Sequence, residues 1–132
     1  MSLYKVQLFL CLVFLLAVAA CVLPGPGATS LTAKDAGSTI HVKQGDIVQV
    51  SLSGNPTTGY TWEAMPGSGG LVQQGEAEFK PDSSALGSGG VMTLRFKATQ
   101  PGTTDLKLIY HRPFEPNVPP LQSFEVTIVV GQ

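Results

Sequence analysis

Met92-Thr93-Leu94-Arg95-Phe96-Lys97-Ala98 decides the fold of this chain. Apolar residues occupy every second position, with polar ones between them. A period of two sends alternate side chains to opposite faces of a strand, one buried and one wet. The same alternation recurs to either side. Val48, Val50 and Leu52 alternate with Gln49 and Ser51 inside the run Asp46–Ser53. Leu106, Leu108 and Tyr110 alternate with Asp105 and Lys107. Phe124, Val126, Ile128 and Val130 alternate with Ser123, Glu125 and Thr127. Shorter strand candidates are Thr39–Lys43, Tyr60–Ala64 and Leu71–Lys80. Turn residues separate them: Gln44-Gly45-Asp46, Pro66–Gly70, Gly87–Gly90 and Gln100-Pro101-Gly102. No segment carries a convincing helical period. About seven to eight closely spaced strands predict an all-β domain, an immunoglobulin-like antiparallel β-sandwich. Trp62 is expected between the sheets, where its large area contributes most.

The chain has 132 residues, enough for one domain. Its first 21 are set apart. Met1–Lys5 carries one positive charge, and Val6–Ala20 is an apolar run broken only by Gln7. This stretch reads as a secretory signal peptide over residues 1–21; the alternative, a permanent transmembrane helix, is less favoured because a span needs roughly 20 apolar residues. Val18-Ala19-Ala20-Cys21 resembles the lipobox of prokaryotic lipoproteins, which implies lipidation of Cys21. The alternative is simple cleavage after the two alanines, leaving Cys21 as a spare thiol. Residues 22–32 are expected to be a tether, with Pro, Gly and Ala concentrated in Val22–Ser30. Residues 33–132 then form the folded domain, exported and held at the extracytoplasmic side of a membrane (periplasm or cell surface). The second cysteine, Cys11, leaves with the leader, so no disulfide or cysteine metal site is expected in the domain.

Charge excludes several functions. Eight Lys/Arg face nine Asp/Glu, with no run of either sign, no basic stripe for nucleic acid and no basic amphipathic helix. Membrane contact is expected only through a lipid. The chain also offers little for catalysis. His41 and His111 are its only imidazoles, and no Gly-x-Ser-x-Gly turn or acid pair stands out. The histidines and carboxylates lack metal-ligand spacing. Gly67-Ser68-Gly69-Gly70 and Gly87-Ser88-Gly89-Gly90 lack the Lys and following helix of a phosphate loop. No cofactor, no metal and no enzymatic activity are expected.

Binding is better served. Asn55-Pro56-Thr57-Thr58-Gly59-Tyr60 is a stiff turn with Asn and Gly near its ends, Pro fixing one φ and two β-branched hydroxyls between. Gly87-Ser88-Gly89-Gly90 leads directly into the strand at Val91 and lets a backbone approach closely. Arg112-Pro113-Phe114 combines Arg and an aromatic, both enriched in binding hot spots, and prolines at 113, 116, 119 and 120 restrain the loop around it. In an antiparallel strand order all three segments fall at one end of a sandwich.

Together and in this order the segments resemble the chagasin-type inhibitors of papain-family cysteine proteases. That family has an Asn-Pro-Thr-Thr-Gly-Tyr/Phe loop, a Gly-x-Gly-Gly loop and an Arg-Pro-Trp/Phe loop. Here they stand at Asn55–Tyr60, Gly87–Gly90 and Arg112–Phe114, and Trp62 follows the first at the expected distance. The resemblance spans most of Ser38–Val130. Phe114 stands where many members have Trp, which bears on stacking strength. What the resemblance implies is a monomeric, tight, reversible inhibitor whose three loops wedge into a protease cleft without being cleaved. Thr57 and Thr58 would lie nearest the catalytic Cys–His pair. Gly87–Gly90 would pair main chain to main chain, and Arg112 and Phe114 would touch the other side.

A structural reading stands beside each residue. Asn55, Pro56 and Gly59 serve the turn, and Tyr60 serves the core. Gly87–Gly90 makes a plain hairpin, and Arg112 pairs only with Glu115. Thr57 and Thr58 show no obvious structural need. The rival function, from another class, is an immunoglobulin-like adhesion or carbohydrate-binding module that uses the same loops.

Overall fold

Met92–Ala98 lies in the longest strand of one sheet, and its alternation is the burial pattern. A computed structural model describes residues 25–67 and 69–132. The expected signal peptide, with Cys21, lies outside the described residues, as does Ser68. Among them the strands are β1 (Ala28–Leu31), β2 (Thr39–Lys43), β3 (Ile47–Gly54), β4 (Thr61–Ala64), β5 (Leu71–Gln73), β6 (Glu78–Pro81), β7 (Gly90–Ala98), β8 (Gly102–His111) and β9 (Gln122–Gly131). In β7, Met92, Leu94, Phe96 and Ala98 are buried while Val91 and Lys97 face solvent.

Two sheets stack face to face. The first runs β1-β3-β7, with β5 and β6 sharing the far edge of β7. The second runs β2-β9-β8-β4. Inward side chains from both close one core: Val48, Val50, Leu94 and Phe96 from the first sheet, Leu106, Leu108, Val126 and Ile128 from the second. Trp62 enters it from β4, 4% exposed, and its indole N–H donates to Ser53 O at 3.0 Å. That bond satisfies the polar edge of a ring otherwise surrounded by apolar atoms.

Three details differ from expectation. The sandwich is not wholly antiparallel: β1 pairs parallel with β3 and β2 pairs parallel with β9. These are the two N-terminal strands, and the chain crosses between sheets from one to the other, so each docks on an outer edge without a hairpin. The folded unit starts before residue 33, inside the stretch expected to be tether. Leu31 is 2% exposed, and Asp46 holds the backbone of Gly27 at 2.8 Å. The candidate Leu71–Lys80 is two strands, because Gly75 takes a left-handed φ of 72° and breaks the run.

Register sets the poles. Ile47 of β3 lies across from Lys97, and Gly54 across from Gly90. The turns after β3, before β7 and after β8 therefore share one end, while the start of β1 and the β2–β3 turn share the other.

Candidate functional site

Asn55 organises the first loop. Its backbone is extended, and its side chain accepts from the Thr57 N–H at 3.2 Å, capping a 3-10 turn over Pro56–Thr58. Pro56 occupies the first turn position, where a missing N–H costs nothing. Gly59 closes the turn at φ 82°, and its N–H donates to Pro56 O at 3.0 Å. The same glycine lies under Phe114: a Cβ there would sit 2.9 Å from the ring. Gly59 is thus fixed both by its left-handed backbone and by close contact.

The two threonines do have structural partners, contrary to the sequence reading. Thr57 Oγ1 donates to Asn55 Oδ1 at 2.5 Å, and Thr58 Oγ1 donates to Asn55 O at 2.6 Å. Each hydroxyl thus spends its single hydrogen inside the loop and keeps only acceptor lone pairs for further partners. Pro56, Thr57 and Thr58 are all exposed.

The three segments meet. Asn55 Nδ2 donates to Gly87 O at 3.0 Å, joining the first loop to the second. Arg112 Nε donates to Thr58 O at 3.0 Å, joining the first to the third. Beneath them runs an aromatic column. Trp62 packs on Tyr110 with centroids 5.1 Å apart, Tyr110 stacks on Tyr60 at 5.2 Å, and the Arg112 guanidinium lies 4.5 Å above the Tyr60 ring. The Tyr110 hydroxyl accepts the Asn55 N–H at 2.8 Å. Tyr60 is therefore partly core, as its structural reading held, and also the seat of Arg112. Arg112 does pair with Glu115, at 3.1 Å, as well as holding Thr58.

The glycine-rich turn is tied at its base, where the Asp82 N–H donates to Gly89 O at 2.9 Å. Gly87 takes φ 76°, with open space around it. Gly90 starts β7 one residue earlier than expected, and the backbone that approaches it is the chain's own: a Cβ there would sit 2.1 Å from Lys80 O. Ser88 Oγ accepts from Ser83 Oγ at 3.1 Å and donates to Gly89 O at 2.9 Å. Sequence reasoning missed Leu86, fully exposed at the tip of this turn. Phe114, 68% exposed, Val118 and Leu121 are exposed apolar side chains of the third loop and its end, and Pro113 is exposed next to Phe114. An apolar residue next to a Gly-x-Gly-Gly turn was the available signal for Leu86.

The histidines lie off this crest. His111 Nε2 pairs with Glu63 across β8 and β4, and His41 is exposed on β2. Among the described residues no three His, Cys, Asp or Glu side chains converge.

Fold and loops together define a β-sandwich protein that carries a preformed crest of three interlocked loops, whose charges at Arg112 and Glu115 neutralise one another. The family model of the chagasin family peptidase inhibitors I42 matches residues 41–128, and the chain belongs to that family. It is 31% identical over 102 residues to amoebiasin-2 of Entamoeba histolytica, covering 76% of this chain and 83% of that protein. It is 32% identical over 83 residues to chagasin of Trypanosoma cruzi, covering 59% and 76% respectively. The crystal structure of the cysteine protease inhibitor EhICP2 from Entamoeba histolytica superposes with a TM-score of 0.70 at 29% identity, over 82% of this chain and 99% of that one. The family is one of cysteine protease inhibitors, not of enzymes.

Proposed function

We propose that the loop crest enters the active-site cleft of papain-like cysteine proteases and blocks it tightly and reversibly. One observation carries this reading. The first loop is tied to the second through Asn55–Gly87 and to the third through Arg112–Thr58, so three separated sequence motifs form one rigid edge. Such an edge loses little entropy on docking. Thr57 and Thr58 lead the edge toward the thiolate–imidazolium pair of the enzyme. They carry no charge that would be left unpaired when water is expelled. Gly87, Ser88 and Gly89 run main chain along one wall of the cleft, with Leu86 adding apolar area, while Gly90, buried between Gly54 and Pro81, anchors them to the sheet. Phe114 meets the other wall, set by Pro113 and Arg112. A contact of this kind buries roughly 800 Å² per partner, the usual protease–inhibitor size.

The domain acts as a monomer in this reading, exported and anchored through a lipid on Cys21. The Val18-Ala19-Ala20-Cys21 sequence supports the anchor, and radioactive fatty-acid labelling, abolished by Cys21→Ser, tests it. Titration of papain with the mature protein tests the function. Stoichiometric inhibition with intact inhibitor recovered is the expected result. An enzyme that stays fully active at micromolar protein would end the reading.

A further inference from the structure

A loop that enters a protease cleft presents peptide bonds to a nucleophile, and three carbonyls of the first loop are already engaged within the chain. Asn55 O accepts from Thr58 N at 3.2 Å and from Thr58 Oγ1 at 2.6 Å. Pro56 O accepts from Gly59 N at 3.0 Å. Thr58 O accepts from Arg112 Nε at 3.0 Å. The bonds at Asn55 O and Pro56 O are internal to the 3-10 turn. The one at Thr58 O comes from another loop, and it holds the carbonyl of the bond leading into the left-handed Gly59.

Hydrolysis by a cysteine protease needs that geometry undone. The thiolate adds to the carbonyl carbon while the oxygen, gaining negative charge, turns toward the enzyme's own donors. The imidazolium then protonates the departing amine, and water cleaves the thioester to release the acid and restore the thiol. A carbonyl oxygen already bound to a guanidinium inside the inhibitor, in a backbone wound as a 3-10 turn, cannot be presented this way.

Arg112 is suited to the task. Its NH1 binds Glu115 at 3.1 Å, its plane rests 4.5 Å over Tyr60, and its Nε is left to point at Thr58. A planar fork satisfies these directions together, whereas a lysine ammonium is a single point charge. We propose that Arg112, oriented by Glu115 and Tyr60, is a positioning residue that locks the Asn55–Gly59 backbone against cleavage, so that its loss turns the inhibitor into a substrate. This rests on the protease-cleft reading and goes beyond it: the resemblance makes Arg112 a contact across the interface, whereas here it acts through the loop.

The test is the fate of the loop in wild type, Arg112→Ala, Arg112→Lys and Glu115→Gln under a catalytic amount of papain, followed by intact mass and by the recovery of enzyme activity. Wild type should remain intact. Arg112→Ala should inhibit transiently and be cut between Asn55 and Tyr60, at a rate at least about tenfold above wild type. Arg112→Lys and Glu115→Gln should fall between, with cuts confined to the same loop. An Arg112→Ala protein that releases the enzyme faster but stays whole would overturn the proposal. So would cuts scattered along the chain of Arg112→Ala together with an uncut loop in Glu115→Gln, since that marks unfolding. Subtilisin nicking of the same variants separates the two claims. If wild type fails to inhibit papain, the cleft reading falls. In that case selective nicking of Arg112→Ala between Asn55 and Tyr60 upholds the lock, and equal resistance overturns it.

Discussion

Asn55 and Gly59 shape the crest at the residue scale through bonds and contacts inside the chain. Asn55 caps the turn, donates from Nδ2 to Gly87 O and donates its backbone N–H to the Tyr110 hydroxyl. Truncation to Ala keeps the backbone bond and removes the others, at a stability cost of about 1 kcal/mol, typical of a lost N-cap. Inhibition should fall much further than stability, because the tie between two loops goes with the cap. Inhibition constants measured beside thermal midpoints check this, and a fall in both by equal free energy would show that the tie is merely structural. Gly59→Ala meets two obstacles, a φ of 82° and a ring 2.9 Å from the new Cβ. A left-handed L-residue costs about 1–2 kcal/mol. Phe114, exposed and mobile about its rotatable bonds, can swing away from the methyl, so the variant should fold with a lowered midpoint and a displaced Phe114. Gly59→Ala combined with Phe114→Ala should then recover none of the inhibition, although it removes the clash; recovery would mean that the aromatic contributes nothing at the edge.

At the scale of elements, β1 shows how a short edge strand is held. Asp46 in the β2–β3 turn accepts from Gly27 N at 2.8 Å and from Lys43 N at 2.9 Å. These backbone bonds, the one from Lys43 first, hold its carboxyl below the ordinary carboxylate range. A depressed carboxylate lends stability above its unfolded pKa and loses it as pH falls through the folded value. Thermal midpoints should therefore be flat from neutral pH to about pH 4 and drop below it. Glu78, held down by its hydrogen bond to Arg95 and then by that charge, adds the same sign. Asp46→Asn should flatten this acid limb and lower stability at neutral pH, since an amide offers a donor where Lys43 N needs an acceptor. An unchanged limb would assign it to other carboxylates. The long strands were legible because Val48 to Leu52, Met92 to Ala98, Leu106 to Tyr110 and Phe124 to Val130 have one wet face each. The first strand was hidden: Ala28–Leu31 buries only Leu31, so four residues carry no alternation to read. Likewise the three loops were legible as motifs, and strand parity placed them together. The bonds that interlock them were not, because Asn55–Gly87 and Arg112–Thr58 join residues 32 and 54 positions apart through side-chain geometry alone.

The whole molecule has a direction. Gly27 is tied to Asp46 at the start of β3, and the first crest loop leaves the end of it. Eight residues of β3, at about 3.3 Å each, put these poles roughly 25 Å apart. The chain thus enters the sandwich at the pole opposite the crest. An anchor on Cys21 would leave the loops pointing away from the membrane, toward soluble enzymes. This predicts that attachment costs nothing when made at the N-terminus and everything when made at the crest. The two can be compared on vesicles bearing a maleimide lipid, with mature protein coupled either through Cys21 or, in a Cys21→Ser background, through Pro119→Cys in the third loop. Soluble papain should be inhibited by the first form within about twofold of the unattached protein, and by the second at least about tenfold less well. The Pro119→Cys protein must inhibit normally before coupling, which separates steric blocking from damage to the loop. If coupling through Cys21 abolished inhibition, the crest would have to face the surface that holds it. The domain would then have to hinge back across its own length, which the parallel pairing of β1 with β3 opposes, because β1 is built into the sheet from Ala28 onward.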